Sequence, residues 1–147
     1  MRYCISVFGN TSKKNKDRLQ KVLNFAAKVI YGRRKYDHVS DLRQQLDWMT
    51  VEQLQSYHTL SLLHKVIRTG EPEALAGMFS TNASVRQRNT RQDNLLHIPR
   101  SRTECGKRRF CVRAPSMYNA LPPDLRERPV RSFNAHLKRF LRDAHGD

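Results

Sequence analysis

The chain has 147 residues, and its 28 lysines and arginines against 13 acids give it a formal net charge of +15. A length of this order predicts one domain with a modest core. Apolar residues make up 38% of the chain, and no apolar run approaches the roughly 20 residues of a transmembrane helix. Three widely spaced cysteines exclude a disulfide framework.

The positive charge is the strongest indication of a partner. Repulsion among so many positive charges favours binding to a polyanion. Nucleic acid is the partner expected first, because each phosphate that the protein neutralises releases counterions. An anionic membrane surface is the alternative, and it would require a basic amphipathic helix with an unburied apolar face. The amino-terminal segment MRYCISVFG is too short and too polar-flanked for a signal peptide. We therefore expect an intracellular protein, nuclear or cytoplasmic, that does not bind a membrane.

The first predicted helix follows an apolar-leaning stretch over residues 2–9 and covers residues 15–31. Apolar residues recur there at helical spacing: Leu19, Val22, Leu23, Ala26, Val29 and Ile30. Gly32 stands where a C′ glycine would end the helix. The remaining positions are rich in lysine, which indicates either a solvated face or a face turned towards phosphates.

Three more helices are predicted before residue 80. A short one covers residues 39–46, and the best-signalled one covers residues 50–70, where Thr50 and Gln53 form a capping box. A third begins at Pro72, a residue suited to the first helical position. Trp48 favours a role in the core, with base stacking as the alternative.

The second half of the chain is predicted to contain a loop, a short β-hairpin and helices. Residues 80–94 lack periodicity and indicate a basic loop, whereas residues 95–98 and 109–112 are short apolar runs that predict a β-hairpin near residues 95–113. Helices over residues 116–121 and 132–144 complete the chain, the latter capped by Ser132. The fold class is therefore mainly α, with about five or six helices in a single module: a helical part (1–79), the loop (80–94), and hairpin plus carboxyl-terminal helices (95–147).

Basic residues cluster in and after this loop. Residues 80–114 include eight arginines and one lysine but only two acidic residues. The planar guanidinium suits bidentate phosphate contact and stacking on bases. We therefore predict a nucleic-acid-binding surface rather than a merely solvated one, formed by Arg86, Arg88, Arg91, Arg100, Arg102, Lys107, Arg108, Arg109 and Arg113. On the predicted hairpin, Arg109 and Arg113 would share one face, opposite Phe110 and Val112.

No reaction centre is evident. Aspartates and glutamates are scattered singly, whereas polymerases and nucleases need neighbouring acids to hold divalent metals. Neither a phosphate-binding glycine loop nor a nucleophile elbow is present. His97, Cys105 and Cys111 match no common zinc spacing. The sequence predicts no catalytic residue, no metal and no cofactor.

The carboxyl-terminal third carries a more specific pattern. APSMYNALPPDLR at residues 114–126 and SFNAHLKRFL at residues 132–141 resemble the tail of reverse transcriptases from jockey-like non-LTR retrotransposons. YCISVFG at residues 3–9, LQKVLNFAAKVIYG at residues 19–32 and LDWMTV at residues 46–51 are similar to upstream motifs of that family, in the same order. Tyr118 stands where the family usually has tryptophan.

The resemblance implies a helical thumb or post-thumb segment that grips template RNA and primer duplex. The family's paired palm aspartates lie upstream and have no counterpart in this sequence, so the chain is expected to be inactive alone. The residues that carry the match and are expected to serve the structure are Trp48, Pro115, Tyr118, Asn119, Leu121, Pro122 and Phe133. RNA or an RNA/DNA duplex is the expected partner. The alternative is a structural remnant that packs on the missing palm or fingers.

Overall fold

The computed structural model describes residues 5, 10–85 and 92–144, and over these residues the protein is mainly helical. Its described part contains nine helices, which are numbered here in chain order. The longer ones are α1 (Lys13–Ile30), α2 (Ser40–Gln45), α3 (Val51–Thr69), α7 (Phe110–Asn119) and α9 (Val130–Asp143). The others are single turns: α4 (Glu73–Ala76), α5 (Asn82–Val85), α6 (Glu104–Lys107) and α8 (Pro123–Arg126).

The helical prediction is confirmed, with small shifts at the ends. Gly32 has a φ of 60°, and the next amide, that of Arg33, donates to the carbonyl of Lys28 over 2.9 Å, which closes a Schellman motif at the end of α1. Pro72 precedes α4 as its N-cap instead of opening it. Helix α9 begins at Val130, two residues before Ser132, whose hydroxyl donates to the carbonyl of Pro129.

The predicted hairpin near residues 95–113 is not formed. Residues 110–112 open helix α7, because Phe110, Ala114 and Tyr118 repeat at the helical spacing of four residues and turn towards the protein interior. Residues 95–97 pair instead with residues 80–82, through an isolated antiparallel bridge between Thr81 and Leu96. A short apolar run is compatible with either a strand or a helix, and here tertiary packing decides for the helix.

The chain divides into two compact units, the first ending at Ser56 and the second beginning at Tyr57, so that the division falls within the sequence of α3. In the first unit α1 is joined to the start of α3 by Gln20, whose side-chain oxygen accepts a hydrogen bond from the amide of Val51 over 2.9 Å. The predicted capping box is confirmed: the amide of Thr50 donates to the Gln53 side chain, and the amide of Gln53 donates to the Thr50 hydroxyl. These bonds satisfy donors that a helix start otherwise leaves unpaired. The prediction of a single module remains a prediction.

The second unit has an apolar core between the rest of α3, α7 and α9. Leu60, Leu63 and Val66 of α3 and Phe133 and Leu137 of α9 are at most 1% exposed. Burying a side chain of this size contributes about 1.5–3 kcal/mol. This core supports the segment that carries the predicted basic site. Among the described residues, no helix is long and apolar enough to cross a lipid bilayer.

Candidate nucleic-acid interface

The structure places six of the nine predicted basic residues in the second unit. Arg86, Arg88 and Arg91 lie outside the described residues. Five of the remaining six are exposed: Arg100, Arg102, Lys107, Arg108 and Arg109, and Arg113 is half-buried. The five exposed cations fall within residues 100–109, which we call the basic turn. Its cations are therefore accessible to a large anionic ligand.

The basic turn is shaped around a buried glycine. Thr103 caps α6, and its hydroxyl accepts a hydrogen bond from the amide of Gly106 over 3.1 Å. Ser101 closes the loop by donating to the carbonyl of Thr103. A β-carbon at position 106 would stand 2.0 Å from the Ser101 hydroxyl oxygen, so any other residue here would require the Ser101 side chain to move. The cations are thus carried on a compact backbone.

Arg109 and Arg113 share a side, although the strand predicted there is absent. Arg109 precedes α7 as its N-cap residue, and the amide of Arg113 donates to its carbonyl over 2.9 Å. Positions i and i+4 share a side in a helix as they do in a strand. Arg109 and Arg113 therefore lie on the same side, as predicted, although the segment is helical. Phe110 and Val112, which the predicted hairpin placed on one face, do not share a face in the helix. The Phe110 ring packs edge-on against Phe79, with 5.7 Å between centroids, and this contact anchors the start of α7.

The charges of the basic turn are unequally available. The Lys107 ammonium forms an ion pair with the carboxylate of Glu104, and Arg108 donates from Nε to the carbonyl of the same residue over 3.3 Å. The hydrogen bond and charge of Lys107 lower the pKa of Glu104 below its usual value, so the carboxylate stays ionised. It offsets part of the positive field around Lys107. Arg100, Arg102 and Arg109 are consequently better candidates for phosphate contact than Lys107.

The second unit also contains a buried polar cluster centred on His64. The His64 ring is 0% exposed and stacks on Phe133, with centroids 3.7 Å apart and ring planes 8° apart. Its Nε2 lies 3.0 Å from the carbonyl of Arg128, and its Nδ1 lies 3.0 Å from the hydroxyl of Tyr118. A carbonyl can only accept, so the neutral ring carries its proton on Nε2, and Nδ1 accepts from Tyr118.

Tyr118 is suited to this donor role. Burial raises the pKa of its hydroxyl above the usual value, against smaller opposing effects of the Arg68 and Arg126 charges. The hydroxyl therefore remains protonated. It also lies 3.3 Å from the carbonyl of Arg126, to which Arg68 donates over 2.9 Å. The Tyr118 hydroxyl is thus hydrogen-bonded to His64, and the Arg126 carbonyl is a second acceptor within its reach.

Asn119 fixes the extended segment that the sequence had assigned to a hairpin. Its side-chain oxygen accepts from the amide of Leu96 over 3.0 Å, and its side-chain nitrogen donates to the carbonyl of Leu96 over 2.9 Å. A side-chain amide thus supplies both hydrogen bonds that a neighbouring strand would supply. This explains why residues 95–98 are extended without a strand at 109–112.

The other residues that carry the resemblance pack inside the protein or lie at the start of a helix. Pro115 lies buried inside α7, Leu121 is 5% exposed, and Pro122 is the N-cap of α8. Trp48 is half-buried just before α3 in the first unit. Among the described residues, no group of three or more histidines, cysteines and acids is placed to hold a metal. Cys105 and Cys111 are free thiols.

Sequence reasoning missed two features. The position of His64 at the centre of a buried cluster was not predicted, although its place beside Leu60 and Leu63 in the apolar stripe of α3 is the signal for it. The incomplete burial of the apolar side chains of α1 was not predicted either. The structure leaves Phe25 and Val29 of that helix 66% and 62% exposed.

No protein-family model matches the chain, and neither the curated proteins nor the solved structures include a match to it.

Proposed function

We propose that the chain is the nucleic-acid-binding carboxyl-terminal segment of a non-LTR retrotransposon RNA-directed DNA polymerase, and that it is inactive alone. Two observations support the proposal. Stretches that resemble motifs of the family follow one another along the chain in the family's order, and the basic turn displays five exposed cations within ten residues. The second observation carries the functional part, because it provides a surface on which template RNA or the RNA/DNA duplex can lie.

The chemistry of this surface is phosphate contact. Guanidinium groups pair with phosphate oxygens in a bidentate manner, and the released counterions make the affinity fall with salt. The side chains of Arg100, Arg102 and Arg109 are exposed, and contact with phosphate does not require them to reach the edge of a base. The proposed role is therefore to hold template and primer irrespective of sequence, while the metal-binding aspartates belong to a palm outside this chain.

A charge-neutralising triple variant tests the assignment. We expect Arg100→Gln, Arg102→Gln and Arg109→Gln together to weaken RNA binding and to make the slope of log affinity against log salt less steep by about 2, because each contact to a single-strand phosphate accounts for about 0.7. Fluorescence anisotropy with a labelled single-stranded RNA over a salt series measures both quantities.

The matched control removes three other exposed cations of the same unit, by Lys65→Gln, Arg131→Gln and Arg139→Gln. It lowers the net charge equally and should leave most of the affinity intact. Equal losses in both variants would show that only overall charge matters and would refute the site. Primer extension by the purified chain would refute the proposal that it is inactive alone.

The alternative function, a structural segment that packs on a polymerase palm or fingers, is favoured by the exposed apolar residues of α1. It predicts that the isolated chain is poorly soluble or loosely packed and does not discriminate RNA from other polyanions. A cooperative melt together with well-dispersed amide resonances in the NMR spectrum would count against it.

A further inference from the structure

Helix α1 leaves a strip of large apolar side chains uncovered. Val22, Phe25 and Val29 are 56%, 66% and 62% exposed, and Ile30 at the end of the helix is 57% exposed. At about 100° per residue, the first three fall within roughly 60° of one another around the helix axis. They form one continuous surface, which we call the α1 strip. Contiguous exposed apolar surface of this kind marks sites of interaction.

Lysines border the α1 strip along one edge. Lys14, Lys21 and Lys28 recur every seven residues, so they stand in a row with about 10 Å between neighbours along the axis. Lys14 and Lys21 are exposed, whereas the ammonium of Lys28 donates to the carbonyl of Lys35. A ligand lying on the strip therefore meets two accessible cations on the same edge.

A hollow of about 350 Å³ continues the α1 strip towards the start of the helix. Its walls are Thr11, Asn15, Arg18, Leu19 and Val22. A shallow, open hollow lined by two aliphatic side chains, two small polar ones and one guanidinium suits an apolar side chain that has an acid nearby. Apolar anchors in pockets, with charged pairs at the rim, are the usual anatomy of a protein interface.

We propose that the α1 strip binds an amphipathic helix of a protein partner, with apolar residues at helical spacing and acidic residues along one edge. The opposite side of α1 is packed inside the protein, where Ala27 is 0% exposed. A bilayer would therefore meet only a narrow strip with cations on one edge, whereas an interfacial helix carries a broad polar face above its apolar one. A helix laid in an apolar groove uses anchors at i, i+3, i+4 and i+7.

This inference is independent of the proposed RNA contact. The α1 strip belongs to the first unit and the basic turn to the second. A variant in one can be assayed for the function of the other. Failure of either proposal leaves the other standing, and the two failures are distinguished by which ligand is lost.

A peptide selection on the full chain tests the proposal directly. The probe is a displayed library of helical peptides with leucine fixed at i, i+3, i+4 and i+7 and with lysine, glutamine or glutamate varied along both edges. We expect enrichment of glutamate along one edge. Enriched peptides should bind about tenfold more weakly to the Lys14→Glu, Lys21→Glu double variant, because like charges then meet.

Two further measurements decide the outcome. The Phe25→Gln, Val29→Gln double variant should lose the enriched peptides and keep its thermal melt and RNA affinity, because both side chains are exposed. Absence of charge enrichment, or unchanged binding by this variant, would overturn the proposal. So would binding of the unaltered chain to phosphatidylserine vesicles that depends on Phe25 and Val29 while no peptide is selected, since the occupant would then be a membrane.

Discussion

Helices α1 and α9 have similar sequence patterns but different surroundings. Both are basic and amphipathic, with apolar residues at helical spacing and lysine or arginine on the rest of the surface. In α9 the residues Phe133, Leu137 and Leu141 are at most 6% exposed, whereas in α1 Val22 and Phe25 are more than half exposed. The pattern thus identifies the helix and the residues that share a side, but not whether this chain covers that side.

The difference follows from how far the apolar surface extends around each helix. In α9 the buried residues repeat every four positions and form a narrow stripe that one core can cover. In α1 apolar residues extend from Ala27, which is fully buried, around to Phe25 on the far side. One packing surface cannot cover so wide an arc. The excess of apolar surface in α1 is therefore the feature that calls for a partner.

The largest effect is expected from removing the buried ring of α9, and the matched change is removal of the exposed ring of α1. Phe133→Ala should lower the free energy of unfolding by about 3–5 kcal/mol, because it removes a fully buried ring and leaves a cavity beside His64. Phe25→Ala should change it by no more than about 0.5 kcal/mol, since that ring is mostly in solvent. Urea denaturation of both variants measures the contrast. A comparable loss at Phe25 would show that the α1 strip is already covered in solution.

A smaller effect is expected from removing the hydrogen bond that joins α1 to the start of α3. Gln20→Ala removes the acceptor for the amide of Val51, a residue that is 1% exposed. A buried donor left unsatisfied costs about 1–3 kcal/mol. The matched control is Gln45→Ala, whose side chain is exposed at the end of α2 and whose loss should be near neutral. If the two variants melted alike, α1 would be held by apolar contacts alone.

The helices of the fold could be predicted where local chemistry determines them. The capping box at Thr50 and Gln53 and the C′ glycine at position 32 act through neighbouring residues, and both are confirmed. The hairpin failed because residues 95–98 obtain their hydrogen bonds from Asn119 and from residues 80–82. Those partners are distant in sequence, and no local pattern indicates them.

The basic site was predictable in composition but not in shape. A count of arginines identifies the cluster, and positive residues tend to be exposed. The ion pair between Lys107 and Glu104 and the close approach at Gly106 arise from the turn of α6, which was not predicted. The RNA-binding role itself remains a prediction.

The mildest perturbation is a change of pH, which acts on α9 through its contact with His64. Burial lowers the pKa of His64 below its ordinary value of 6.5, and the charge of Arg68 lowers it further, while the hydrogen bond to the Arg128 carbonyl opposes both. The unfolded chain therefore binds a proton more tightly than the folded protein. The stabilisation is fully present above pH 6.5 and is lost as the pH falls from 6.5 through the lowered pKa of the folded state.

Thermal melts between pH 5.5 and 8 should therefore show a decreasing melting temperature on the acid side, and His64→Gln should flatten that dependence. His38→Gln, at an exposed position in the first unit, is the control and should keep the slope. If His64→Gln retained it too, the charged ring would be accommodated. The geometry allows for this outcome, because a protonated Nδ1 could donate to the Tyr118 hydroxyl, which could then turn its own proton to the Arg126 carbonyl. A preserved slope would assign the acid sensitivity to another group and show that the stack on Phe133 tolerates the charge.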